Sequence, residues 1–483
     1  MSRIQQLGKD SIIYGLGGVL AKGASFFLLP IYTRIFTPVD YGTIEMLKLI
    51  SAFVAAILIM GMDTAQSFYF FKEKSEGKSA QIKVVSAILQ WRLVFGSVTV
   101  LIATLLAPLL TISFMSAELT WHYFAVAFCG AFFATVMSQS VEIFRLLYRP
   151  WPYIWITLLN TLGTAALILL FVLKFDQGIM GYFLGSMISG LLVAGLAWYL
   201  VREYVDFSTW HTEWWPKLLK FGAPLLPAGL AFYGMSSADR WFIQYYQGEH
   251  VLGLYAIGAT FALLVALVVE TFRKAWWPIA MDAMHSDDGP ETFRIVARLF
   301  MGIGAAAVVM LTFMSPWLIK WFTGPAFHSA WPLVGVLAWS SLMYGFYMIA
   351  SRGIFKVEKT SILAYLMGVA MILNMLLNWL LVPLYSSMGA AVSTVIAYFV
   401  WVILSMIISE RYWRVGFPVL ILSLQVGIGM FYVAWFLIMY ESYGVVIQGV
   451  SALIVSGVLL FSSIGRHHRS VVFNWIHERW AKQ

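Results

Sequence analysis

Fourteen apolar runs, bounded by charges or by Gly and Pro clusters, divide this chain, and every one is longer than the roughly 20 residues that a helix needs to cross a hydrocarbon core. They cover 11–36, 43–71, 83–112, 120–144, 153–173, 178–201, 221–245, 251–275, 297–322, 331–351, 361–383, 388–409, 416–440 and 444–465. Lipid offers no partner to a free N–H or C=O, so runs of this length are predicted to form helices that close their own hydrogen bonds. The expected fold is all-α, a polytopic membrane protein of about 14 transmembrane helices. Composition agrees: 61% of the 483 residues are hydrophobic and only 11% are charged. The first run holds a lysine and is too long for a signal-peptide core, so it is expected to be retained.

A net charge of +8 invites a nucleic-acid reading, but the distribution of the basic residues argues against it. Of 31 Lys and Arg, with those at a span's edge assigned to the adjoining connection, 24 fall at the two ends or in alternate connections, the opposite connections hold only Lys174 and Lys320, and five lie deeper inside spans. Such an asymmetry is an orientation signal and predicts that both termini are cytoplasmic. The single Cys129 allows no intrachain disulfide. The connection 202–220 carries Trp210, Trp214 and Trp215, which are expected to anchor at the headgroups.

An internal repeat is faintly legible. Ala107-Pro108-Leu109-Leu110 and Phe114 align with Ser315-Pro316-Trp317-Leu318 and Phe322 at an offset of 208, as Gly181 does with Gly389. Lys9 and Gly42 align with Lys220 and Gly253 at 211. The expected organisation is a six-helix lobe over 1–201, a cytoplasmic linker over 202–220, a second six-helix lobe over 221–410, two additional helices over 411–465 and a cytoplasmic tail over 466–483. Pro30, Pro224 and Pro227 in the opening helices of the lobes are candidate hinges.

Two stretches carry a resemblance. Leu29-Pro30-Ile31-Tyr32-Thr33-Arg34, followed by the corner Thr37-Pro38-Val39-Asp40-Tyr41-Gly42, resembles the opening of Wzx-type polysaccharide flippases of the multidrug/oligosaccharidyl-lipid/polysaccharide exporter superfamily. Ser237-Ala238-Asp239-Arg240-Trp241-Phe242-Ile243, with Gly248 and Gly253-Leu254-Tyr255, resembles their seventh-to-eighth helix region. The resemblance implies two lobes around a central cavity, working by alternating access in the bacterial inner membrane. It implies export of a polyprenyl-pyrophosphate-linked oligosaccharide for surface polysaccharide, with membrane lipids and a glycan polymerase and chain-length regulator as partners. Neither a cofactor nor a nucleic-acid partner is expected.

Charges inside the spans then become candidates. Each costs about 2.5–3.5 kcal/mol near the bilayer centre, so they point to a polar interior. Lys22, Arg34, Lys48 and Arg240 supply donors and charge suited to a pyrophosphate. The alternatives are that Arg34 and Arg240 snorkel to the surface and that Glu45 pairs with Lys48 at three-residue spacing. Asp63 and Arg92 fall at similar depth on adjacent antiparallel helices and are expected to pair, with Glu270 and Arg298 as their counterparts in the repeat. Asp63 or Glu270 could exchange partner with a proton or sodium ion; Asp239 could too, although it leaves the helix on a different face from Arg240.

Other functions fit less well. A lipid II flippase is the nearest alternative. A cation-coupled drug antiporter should favour acidic cavity residues, which the first span lacks. A membrane glycosyltransferase or polymerase needs a base or metal-binding acids in a sizeable loop, and Asp287-Asp288 reads as a solvated turn beside Gly289-Pro290.

Overall fold

The apolar runs are helical wherever the structure, a computed structural model, describes them: residues 23, 26–114, 120–357, 359 and 361–463. No strand occurs among the described residues. The helices are α1 (Phe26–Ile35), α2 (Pro38–Ile59), α3 (Met62–Lys72), α4 (Lys78–Phe114), α5 (Trp121–Leu146), α6 (Pro150–Leu169), α7 (Gly178–Leu200), α8 (Trp215–Gly222) and α9 (Leu226–Ala283). They continue with α10 (Gly289–Phe322), α11 (Trp331–Ala350), α12 (Arg352–Lys356), α13 (Ser361–Tyr412), α14 (Val419–Met439) and α15 (Val445–Ser463).

Eleven stretches of helix among the described residues are long and apolar enough to cross a membrane. Two of them are double. A continuous α9 of 58 residues would reach roughly 87 Å at 1.5 Å per residue, far beyond a bilayer, and it is interrupted at Gly248 (φ 78°, ψ −177°). The 52-residue α13 is interrupted at Ser386 (φ 53°, ψ −138°). Across that break Asn374 Nδ2 donates to Thr394 Oγ1 at 3.4 Å, so the chain has folded back on itself. With these two counted double and α1 as the described part of the first run, all fourteen predicted spans are represented.

The chain divides into two compact units, 1–253 and 254–483. In the first, α5 packs on α2, α4, α6 and α7. Local chemistry starts α2 at the polar corner: Thr37 and Asp40 form a reciprocal capping box, with Asp40 Oδ2 accepting from Thr37 N at 2.9 Å and Thr37 Oγ1 from Asp40 N at 3.2 Å. Pro38 follows at the first helical turn, where a missing N–H costs nothing.

The run 43–71 forms two helices rather than one. Met60 (φ 41°) and Gly61 (φ 69°) are left-handed and separate α2 from α3. Gly61 lies directly against the Gly222 backbone, where a Cβ would meet the carbonyl.

The tryptophan-bearing connection packs onto the protein through two of its three tryptophans. Trp210 is exposed, but Trp214 is buried with Leu218 against Met62, Val84 and Ile88, and Trp215 Nε1 donates to the Ala87 carbonyl at 3.1 Å. Ser86 Oγ accepts from Asp206 N at 2.7 Å, and Gln90 receives His211 N at 2.9 Å. Buried polar groups on α4 are thus met by the connection, which ties it and α8 to the first unit. The observed division at Gly253–Leu254 lies later than the expected linker at 202–220. Pro224 sits in the 3₁₀ turn between α8 and α9, and Pro227 at the start of α9.

In the second unit α10 packs on α11, α14 and α15, and α11 packs on α13. A polar seam joins the last two helices to α10: Arg298 Nε donates to the Ser463 carbonyl at 2.9 Å, and Gln425 Nε2 to Ser462 Oγ at 2.9 Å and the Arg298 carbonyl at 3.3 Å. Pro108 and Pro316, aligned by the repeat, both lie inside long helices.

Candidate functional site

On α2, Lys48, Ser51, Ala52, Ala55 and Ile59 recur at helical spacing and so share one face. On α5, Ala127, Gly130, Ala131, Ala134 and Ser138 do the same. Small residues on facing helices leave space. Between them and α6 and α7 lies a cavity of about 480 Å³, lined also by Thr135, Asn160, Thr164, Tyr182 and Ser186. The Ser51 hydroxyl is buried and has no protein partner, which leaves a donor and an acceptor for a ligand or water. Lys48 lies over the Tyr182 ring, 5.4 Å from its centroid, and Tyr32 and Phe36 from the α1 segment pack edge-on against the same ring at 6.0 and 6.1 Å. A cation, an aromatic face and a row of hydroxyl and amide groups therefore face one concavity in apolar surroundings.

Next to it stands a charge cluster. Glu45 meets Lys48 at 3.8 Å, one turn away, and Arg240 Nε at 2.9 Å from a helix 195 residues further on. Arg240 Nη1 also reaches Asp239 Oδ1 at 3.3 Å, so the long guanidinium joins the carboxylate of its neighbour despite their different helix faces. Lys48, Arg240, Glu45 and Asp239 carry two charges of each sign. Their side chains, Lys48 apart, are less than one-fifth exposed. Arg240 is therefore held by carboxylates rather than snorkelling to a surface.

The other charges are distributed differently. Arg34 is exposed, donates to the Pro30 carbonyl of its own helix at 2.7 Å, and does not line the cavity. Lys22 lies outside the described residues. Arg92, fully buried, meets Asp63 at 2.6 Å and also donates to the Thr135 carbonyl, so the expected pair is present. Asp63 is in the first turn of α3, placed there by the break at Gly61. In the second unit Glu270 meets Arg273 at 2.6 Å, whereas Arg298, its expected partner, donates to Ser463. A residue one turn along the same helix reached the carboxylate first.

Sequence reasoning did not single out Ser51, Asn160, Thr164, Tyr182 or Ser186. The stripe of small and hydroxyl residues on α2 and α5 was a visible signal, but such stripes are equally the mark of close helix packing. No group of three or more His, Cys, Asp or Glu suited to a metal occurs among the described residues.

A family model described as polysaccharide biosynthesis protein matches residues 7–284. A protein of the Lsg locus of Haemophilus influenzae is 24% identical over 282 residues, 57% of this chain and 66% of the relative, so the chain spans just under two thirds of that relative's length. Among solved structures, the lipid II flippase MurJ in an inward-closed conformation superposes with a TM-score of 0.71 at 16% identity, covering 95% of this chain and all of that one. An inward-facing multidrug resistance MATE family transporter of the MOP superfamily gives 0.62 at 13% identity, covering 82% of this chain and 94% of that one. At these identities the likeness is one of fold.

Proposed function

Because the chain belongs to the polysaccharide biosynthesis protein family, a family of multi-pass membrane proteins, we propose that it is a flippase for a polyprenyl-pyrophosphate-linked oligosaccharide. It would carry repeat units of a surface polysaccharide (O-antigen, capsule or exopolysaccharide) across the bacterial inner membrane by alternating access, and would not be an enzyme. Both termini are cytoplasmic in this reading, and a glycan polymerase and chain-length regulator take the product.

The observation that carries the proposal is the cavity beside Lys48, where polar groups are set in a largely apolar lining. Its hydroxyl, amide and aromatic lining suits sugar, whose hydroxyl groups need donors and acceptors and whose ring faces stack on aromatics. The pyrophosphate is assigned to Lys48 and Arg240. Both cations already share Glu45, so the incoming anion replaces that carboxylate. Binding equally well in both states shifts no equilibrium, and this exchange of partners supplies a difference. Coupling to a sodium or proton gradient belongs to the same proposal, with Asp63, Asp239 and Glu270 as the acids that could take the cation. Lys22 and Arg34 remain candidates for substrate contact on the way in or out.

The lipid II reading is kept as the second one, because that flippase shares its fold with this chain over 95% of its length. The experiment is therefore run with both substrates. Proteoliposomes carry lipid-linked oligosaccharide or lipid II, and an external lectin scores delivery. Lys48→Ala and Arg240→Ala should slow oligosaccharide delivery at least tenfold, with Lys48→Arg partly active. A sodium or proton gradient should accelerate the wild type. Delivery of lipid II alone would replace the proposed substrate, and equal rates in wild type and both alanine variants would remove the site.

A further inference from the structure

Away from this cavity, α4, α5 and α7 and the segment after α7 enclose an apolar groove of about 390 Å³, whose walls include Leu93, Phe133, Leu191, Trp198 and Phe207. Its polar needs are met within the protein, since Trp198 Nε1 donates to the Val136 carbonyl at 3.0 Å. The groove passes over Gly195, where a Cβ would have no neighbour within 4 Å. At its mouth stands Arg202.

Position gives this arginine its meaning. It follows α7 by two residues, so it lies where a membrane span leaves the hydrocarbon, whichever side that end faces. Its guanidinium stacks over Tyr199, 4.2 Å from the ring centroid, and among the described residues no carboxylate pairs with it. The adjacent Glu203 is engaged by Lys78 at 2.8 Å and Arg149 at 3.2 Å. Two basic groups thus already hold the one neighbouring acid, and Arg202 is left without it.

We infer that the groove is a binding site for an anionic phospholipid, with an acyl chain along Leu93, Phe133 and Leu191 and the phosphate at Arg202. An apolar trough in a membrane span is filled by lipid tails, and the uncompensated cation at headgroup depth selects among lipids by charge. A basic group near a membrane surface contributes about 1 kcal/mol toward an anionic lipid, which is roughly a fivefold preference.

The test uses the purified full chain, stripped of lipid in mild detergent and titrated with phosphatidylglycerol or phosphatidylcholine. Native mass spectrometry counts retained lipid. Wild type should hold one phosphatidylglycerol about fivefold more tightly than phosphatidylcholine at low salt. Arg202→Gln should bring the two lipids to parity and Arg202→Lys should keep the preference, which separates charge from the packing on Tyr199. Gly195→Leu, whose Cβ meets no atom within 4 Å, extends its side chain into the trough and should abolish retention of both lipids while leaving the lipid-free thermal midpoint unchanged. Equal retention of the two lipids by wild type, an unaltered preference in Arg202→Gln, or full retention in Gly195→Leu would each overturn the assignment.

Discussion

Asp63 and Arg92 illustrate how unequal the two ends of one ion pair can be. Arg92 is fully buried, while the Asp63 side chain is 32% exposed. Removing the carboxylate leaves a buried guanidinium without its counter-charge, a loss of about 3–5 kcal/mol by comparison with broken buried pairs. Removing the cation leaves a carboxylate that water can reach. Asp63→Asn should therefore lower the thermal midpoint in detergent more than the volume-conserving Arg92→Met, and the double variant should be more stable than Asp63→Asn alone. Equal losses that add in the double variant would show that the pair is not coupled. The pairing was legible from depth alone, because two opposite charges at one level on adjacent helices have few other partners. That of Glu270 was not, because a rival at three-residue spacing lay closer.

At the scale of elements, two segments related by the 211-residue offset meet each other. Gly42 on α2 lies against the Glu249 carbonyl, and Gly253 lies against the Pro38 carbonyl, so each glycine faces the residue four positions before its counterpart. Four-residue spacing puts those carbonyls on the same helix face as the glycines, which is why the approach is mutual. A Cβ at either position would stand well inside contact distance of backbone, which cannot swing aside as a side chain can. Gly42→Ala should push the start of α2 away from 249–253. With Cys129→Ser as background, a maleimide probe on Ser51→Cys should then react severalfold faster, because the cavity above Ser51 opens to that end. An unchanged rate would mean that this contact does not control access. The aligned glycines were visible in the sequence; their mutual contact was not, since an offset says nothing about which elements touch.

For the molecule as a whole, the alternation of Lys and Arg makes a prediction that is independent of the substrate. Alkaline phosphatase, active only outside the cytoplasm, should be inactive when fused after Gln483 and active when fused after Lys174 or Lys320, with an N-terminal tag protected from external protease. Activity at both kinds of junction would mean that a span has been miscounted. The count itself rests on firm ground, since α9 and α13 each contain a backbone break where the two spans were predicted to part.

The number, order and approximate ends of the spans follow from the residues alone, because in lipid the backbone must satisfy itself and only helices of sufficient length do so. So do the positions of the charges that such spans tolerate only for a reason. Which of those charges meet depends on how the helices pack. Glu45 had Lys48 as a local partner in sequence, but Arg240, 195 residues away, reaches it at 2.9 Å and balances the cluster. Structure likewise turned two stripes of small residues into a cavity rather than a tight seam, and packed Trp214 and Trp215 onto α3 and α4. Periodicity tells which face a residue occupies; what that face encounters depends on distances between helices, and those are set by packing over the whole unit.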